Sequence, residues 1–111
     1  MSDLTQRHCA PCEGGVAPLS REQAEHLLAQ LHPDWALVAD GKEIAREFRF
    51  SNYYETMAFV NAGAWISHRE DHHPDLEVGY NRCRVRYSTH AIGGLSDNDF
   101  ICAVKMDGLI A

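Results

Sequence analysis

Residues 82–89, RCRVRYST, alternate without a break: Cys83, Val85, Tyr87 and Thr89 against Arg82, Arg84, Arg86 and Ser88. A period of two is the spacing of a strand with one face buried and the other in water. A helix of the same residues would spread its arginines around the circumference and leave no apolar face to bury. With LEVGYN before it, the run predicts a hairpin that turns between Gly79 and Arg82. Such a hairpin needs sheet partners and a layer over its apolar face, and the rest of the chain has to supply both.

The remaining segments fit that need. Ser20 and Gln23 form a capping box, and Ala24, Leu27, Leu28 and Leu31 follow at helical spacing until His32-Pro33. DWALVADGKEIAREFRF predicts two strands around an Asp40-Gly41 turn, with Ile44, Phe48 and Phe50 on one face and Glu43, Glu47 and Arg49 on the other. Ser51 is the expected cap of a longer helix over about residues 52–68. Tyr53, Met57, Val60 and Ala64 form one stripe of it, with Phe59, Gly63 and Ile66 beside them. A surface this broad predicts contact with both the sheet and a partner. Ser96 and Asp99 make a second capping box before a last helix, whose inner face carries Phe100, Ala103 and Val104. The order α-β-β-α-β-β-α predicts an α+β fold, a four-stranded antiparallel sheet with three helices packed on one face. Residues 1–18 have no apolar period and are expected to be an irregular leader, with residues 19–111 as one domain.

A chain of 111 residues with 45% hydrophobic side chains can bury one core. A net charge of −6 argues against nucleic acid as a partner, because phosphate contacts need a basic face. The longest uncharged stretch, TMAFVNAGAWISH, is too short to span a membrane, and no signal peptide opens the chain. The expected location is the cytoplasm, where Cys9, Cys12, Cys83 and Cys102 would remain thiols. Cys9 and Cys12 have the spacing of a zinc knuckle, yet only His8 is near. They are either an exposed pair or half of a metal site completed by another segment or chain; no metal is assigned.

Histidine concentrates in HREDHHPD, residues 68–75. His68 and His72 are four apart, as two zinc ligands on one helix would be, but Arg69 stands where the zinc-protease pattern has glutamate. Alternatively, the histidines complement the dipole of a solvated helix end. A third reading is acid–base chemistry, since imidazole exchanges protons near neutral pH. Pro74 forces His73 toward extended backbone. His90, at a strand end before Gly93-Gly94, and the carboxyl of Asp99 could then converge on the same rim.

The spacing His68-x3-His72-His73-Pro74-x5-Tyr80-x9-His90-x8-Asp99 resembles the signature of the pterin-4a-carbinolamine dehydratases. FSNYYETMAFVN and GGLSDNDF are similar to the same family, and RHCAPC resembles the start of some bacterial members. The likeness covers about Ser20 to Ile110. It implies dehydration of 4a-hydroxytetrahydropterin to quinonoid dihydropterin, with no metal and no cofactor. It implies a link to the aromatic amino acid hydroxylases that form this carbinolamine, and a homodimer or homotetramer. It places catalysis on His72, His73 and His90, and substrate binding on Asp99 and Pro74. Animal relatives also serve as dimerisation cofactors of a homeodomain transcription factor, so a protein-binding role is the alternative. One departure is Asn98, where some animal members carry arginine before the final aspartate.

Overall fold

The computed structural model describes residues 4–11 and 14–110. Four strands form one antiparallel sheet: β1 (Ala36–Val38), β2 (Glu43–Arg49), β3 (Asp75–Val78) and β4 (Arg82–Tyr87), in the order β1-β2-β4-β3. Three helices complete the α+β architecture: α1 (Arg21–Leu28), α2 (Tyr53–Glu70) and α3 (Asp97–Asp107). The alternation in β4 decides which face is which. Cys83, Val85 and Tyr87 are fully buried beside Ile44 and Phe48 of β2. The arginine row faces outward onto carboxylates, with Arg82 near Glu47 and Arg86 between Glu43 and Glu77. These exposed pairs add at most about 1 kcal/mol each, but they keep the outer face wet.

Trp35, Phe48 and Phe59 join the sheet to the helices, with Phe48 and Phe59 centroids 4.5 Å apart and Trp35 meeting Phe48 edge-on. Burying each such ring contributes about 1.5–3 kcal/mol. α3 is enclosed almost all round, and Phe100, Ile101, Cys102, Ala103 and Met106 are all buried. Among the described residues, no helix is long and apolar enough to cross a membrane.

Both predicted capping boxes are present, at Ser20/Gln23 and at Ser96/Asp99. The middle helix departs from expectation. Its cap is Asn52, not Ser51: Asn52 Oδ1 accepts from the Glu55 N–H at 2.9 Å, and Glu55 returns the contact to the Ser51 N–H. Its buried stripe is Thr56, Phe59, Gly63 and Glu70, while Tyr53, Tyr54 and Trp65 stand in solvent. Thr56 belongs inside because its hydroxyl, with one proton to give, lies within hydrogen-bond distance of both Asn52 O and Tyr80 O, between the helix start and the β3–β4 turn.

Residues 4–11, in the leader, pack against the helices. Leu4 is 2% exposed and joins the core, and Arg7 pairs with Asp97 at 2.9 Å. The backbone of Cys9 and Ala10 bonds side chains of α2 and α3.

Candidate active site

α2 ends at Glu70, two residues later than the sequence suggests. Asp71 takes the left-handed conformation, φ 51°, and its N–H and that of His72 both donate to Ser67 O. Aspartate tolerates this geometry better than most residues. The reversal releases His72 from the helix, so His68 and His72 are not two positions on one helical face. His68 instead lies against the exposed Trp65 ring, centroids 5.3 Å apart. The helical premise of the zinc reading therefore does not hold. Among the described residues, no group of three or more His, Cys, Asp or Glu side chains is arranged around a metal position. Cys12 lies outside the described residues, so the pairing expected of Cys9 and Cys12 is not part of this geometry.

His72, His73 and His90 line one cleft of about 550 Å³, together with Cys9, Ala10, Pro11, Arg69 and Asn98. This volume suits a small heterocycle. His72 Nε2 lies 2.6 Å from Asp99 Oδ1, and the His72 ring runs parallel to that of Tyr87. Asp99 is fully buried and sits behind His72, outside the cleft lining. Its other oxygen accepts from the Thr89 hydroxyl at 2.8 Å and from the Ser96 N–H at 3.0 Å. One carboxyl thus caps α3 and holds His72. An ionised carboxylate only accepts hydrogen bonds, so in this contact Nε2 is the donor.

His73 and His90 are exposed. The His73 ring bonds the Pro74 carbonyl at 3.3 Å, and Pro74 itself borders a neighbouring apolar groove with Phe59 and Leu76. His90 opens a short 3-10 turn, His90–Ile92, closed by Gly93 at φ 67° and by the Thr89–Gly94 backbone pair. A Cβ on Gly94 would come within 2.8 Å of the Pro18 ring. The ring cannot swing aside, so Gly94→Ala is expected to destabilise by about 1–3 kcal/mol, read as a lower urea midpoint; an unchanged midpoint would show that the turn has slack.

Glu70, the last residue of α2, is buried at the cleft edge. Burial by itself raises its pKa. The Cys9 N–H at 2.7 Å, His8 at 3.0 Å and Lys105 at 3.9 Å outweigh that and hold it below the ordinary carboxylate value. The folded protein therefore binds this proton less tightly than the unfolded chain. The stabilisation is complete above the ordinary carboxylate range and is lost as pH falls through the depressed folded value. Glu70→Gln is expected to flatten the acid limb of stability below about pH 4.5 in urea melts; a limb as steep as the parent's would remove Glu70 from the account.

Two thiols stay protonated. The Cys9 contact, Sγ to Sγ 3.5 Å, and then burial push Cys102 far above its ordinary value. Burial pushes Cys83 up to about 11.

The cleft of this α+β scaffold thus gathers an imidazole braced by a buried carboxyl and two further histidines. A family model described as pterin 4 alpha carbinolamine dehydratase matches residues 17–109. The chain belongs to this family. A Nitrosomonas eutropha protein with the provisional name pterin-4-alpha-carbinolamine dehydratase is 67% identical over 108 residues, 97% of this chain and 94% of that protein. A Legionella pneumophila (strain Corby) protein of the same provisional name is 58% identical, covering 98% and 96%. A crystal structure from Brucella melitensis, described as a transcriptional coactivator/pterin dehydratase, superposes with TM-score 0.80 at 28% identity, over 85% of this chain and 99% of that one. A pterin dehydratase-like RuBisCO assembly factor of the alpha-carboxysome shares the fold alone, with TM-score 0.61 at 22% identity, over 70% and 90%.

Proposed function

We propose that this protein dehydrates 4a-hydroxytetrahydropterin to quinonoid dihydropterin and so recycles the tetrahydropterin of aromatic amino acid hydroxylases. The observation that carries the reading is the His72–Asp99 pair in a cleft shared with His73 and His90. In the reaction the C4a–O bond breaks with its electron pair on oxygen, which takes a proton and leaves as water. The lone pair of the adjacent ring nitrogen forms the C=N bond, and that nitrogen gives its proton to a base. His72 and His90 are the acid–base pair in this reading, and His73 holds the pterin ring. Asp99 and Pro74, expected to contact substrate, act from outside the cleft lining: Asp99 by fixing the tautomer of His72, Pro74 through its carbonyl on His73. The chemistry asks for positioned proton donors and acceptors, each worth about 10²–10⁴ in rate. The natural setting in this reading is a cytoplasmic homodimer or homotetramer.

A coupled assay tests the physiological part. A hydroxylase supplied with limiting tetrahydropterin and a reductant for the quinonoid product is expected to turn over faster when this protein is added. Unchanged turnover, in a protein that still accelerates the isolated dehydration, would remove the recycling role.

A second reading, a protein-binding dimerisation cofactor, is favoured by the exposed aromatic face of α2. Tyr53, Tyr54 and Trp65 are 48%, 83% and 62% exposed. That face serves either a second copy of the chain or a foreign partner. Monodisperse monomer in sedimentation, with no dehydration of the carbinolamine, would leave the protein-binding reading alone.

A further inference from the structure

Residues 8–11 precede the stretch that matches the family model, yet they supply Cys9, Ala10 and Pro11 to the cleft lining. They are held there by two side chains that are more than nine-tenths buried, Glu70 of α2 and Asn98 of α3. Asn98 clamps Ala10 by both backbone groups: its Oδ1 accepts the Ala10 N–H at 3.1 Å and its Nδ2 donates to the Ala10 carbonyl at 2.7 Å. Glu70 accepts the Cys9 N–H on one oxygen and faces His8 on the other. The Cys9 thiol rests on Cys102 and on the Asn98 carbonyl. Asn98 therefore commits one acceptor and one donor of its amide to the chain's own leader. Burying a carboxylate is costly unless it is hydrogen-bonded, and the leader backbone supplies the shortest of the bonds that Glu70 makes.

We propose that residues 8–11 are a built wall of the active cleft, and that Asn98 and Glu70 are positioning residues that set substrate affinity through it. The proposal rests on the pterin reading of the cleft. The wall presents Ala10 and Pro11, small apolar groups suited to the face of a planar heterocycle, and it excludes water from that side. Its two ionisable side chains are turned to other partners, His8 to Glu70 and the Cys9 thiol to Cys102 and the Asn98 carbonyl. Its contacts to the ring are therefore the same before and during C–O cleavage, and its loss should raise KM while leaving kcat nearly intact.

The test compares the full-length parent with Asn98→Ala, Glu70→Ala and Glu70→Gln. Two readouts are used: the Kd for 7,8-dihydropterin, an unreactive probe, by fluorescence titration, and the KM and kcat for carbinolamine dehydration. Asn98→Ala and Glu70→Ala are expected to raise Kd and KM about tenfold, with kcat within about threefold. Glu70→Gln keeps an acceptor for the Cys9 N–H and is expected to stay within about threefold of the parent in both. Hydrogen exchange at residues 9 and 10 should quicken in the two alanine variants alone. Alanine variants that fold and bind the probe like the parent overturn the proposal, as does a fall in kcat at constant KM. A parent that binds dihydropterin but fails to dehydrate the carbinolamine sinks the enzymatic reading and leaves the wall standing. A parent that does not bind the probe at all overturns both.

Discussion

His72→Ala is expected to slow carbinolamine dehydration by about 10²–10⁴, the usual worth of a positioned acid–base group. The imidazole is the group in the cleft braced by a fully buried carboxyl, with Nε2 2.6 Å from Asp99 Oδ1. The His72 side chain is mostly buried against Tyr87, so a far-UV spectrum and a urea melt of the variant accompany the assay to show that it folds. The truncation leaves Asp99 with its Thr89 and Ser96 contacts, which continue to cap α3. The loss should appear in single-turnover stopped-flow decay as a slower chemical step, with dihydropterin binding largely retained. A rate within about threefold of the parent would take His72 out of the chemistry and shift the burden to His73 and His90.

The largest effect on stability is expected far from the cleft. Arg46 lies on the inner face of β2, 8% exposed, and its guanidinium meets Asp107 at 2.7 Å. Asp107 also accepts from the Trp35 indole N–H on both oxygens, at 2.8 and 3.0 Å. Asp107→Ala leaves a buried cation and an indole N–H without their acceptor, at a cost of about 3–5 kcal/mol. Arg46→Met in the same chain should recover much of that loss, because a buried ion pair replaced by apolar groups is often neutral. Urea melts of the single and double variants measure both steps. A single-variant loss below about 1 kcal/mol would show that the site opens to water and re-solvates Arg46.

Why some of this is legible in the sequence and some is not comes down to period and range. Alternation in β4 and the Asp40-Gly41 turn are local, so both hairpins could be read directly, as could the caps at Ser20 and Ser96. The middle helix misled because burial there is decided by tertiary contacts. Thr56 and Glu70 are polar, which argues for solvent, yet they lie on the stripe of Phe59 and Gly63, where one bonds the β3–β4 turn and the other the leader. Tyr53 and Trp65 look inward by composition and stand in solvent. Arg46 alternates correctly with Ile44 and Phe48, but nothing local announces that a charge on the apolar face finds Asp107 sixty-one residues away. The three cleft histidines were found through spacing and resemblance, and the structure brings them to one opening. The leader's part in that opening has no sequence period at all. It rests on backbone groups of Cys9 and Ala10, which any sequence would supply, meeting two buried side chains. Asn98, noted only as a departure from arginine, turns out to face that leader.

The central claim is that this cleft breaks the C4a–O bond of the carbinolamine. The most direct measurement is the decay of freshly generated 4a-hydroxytetrahydropterin in a stopped-flow instrument, with the protein in catalytic amounts. The account predicts a decay whose rate rises with protein concentration and saturates with substrate. A decay that is the same with protein as in buffer, while the protein is folded and binds dihydropterin, would contradict it.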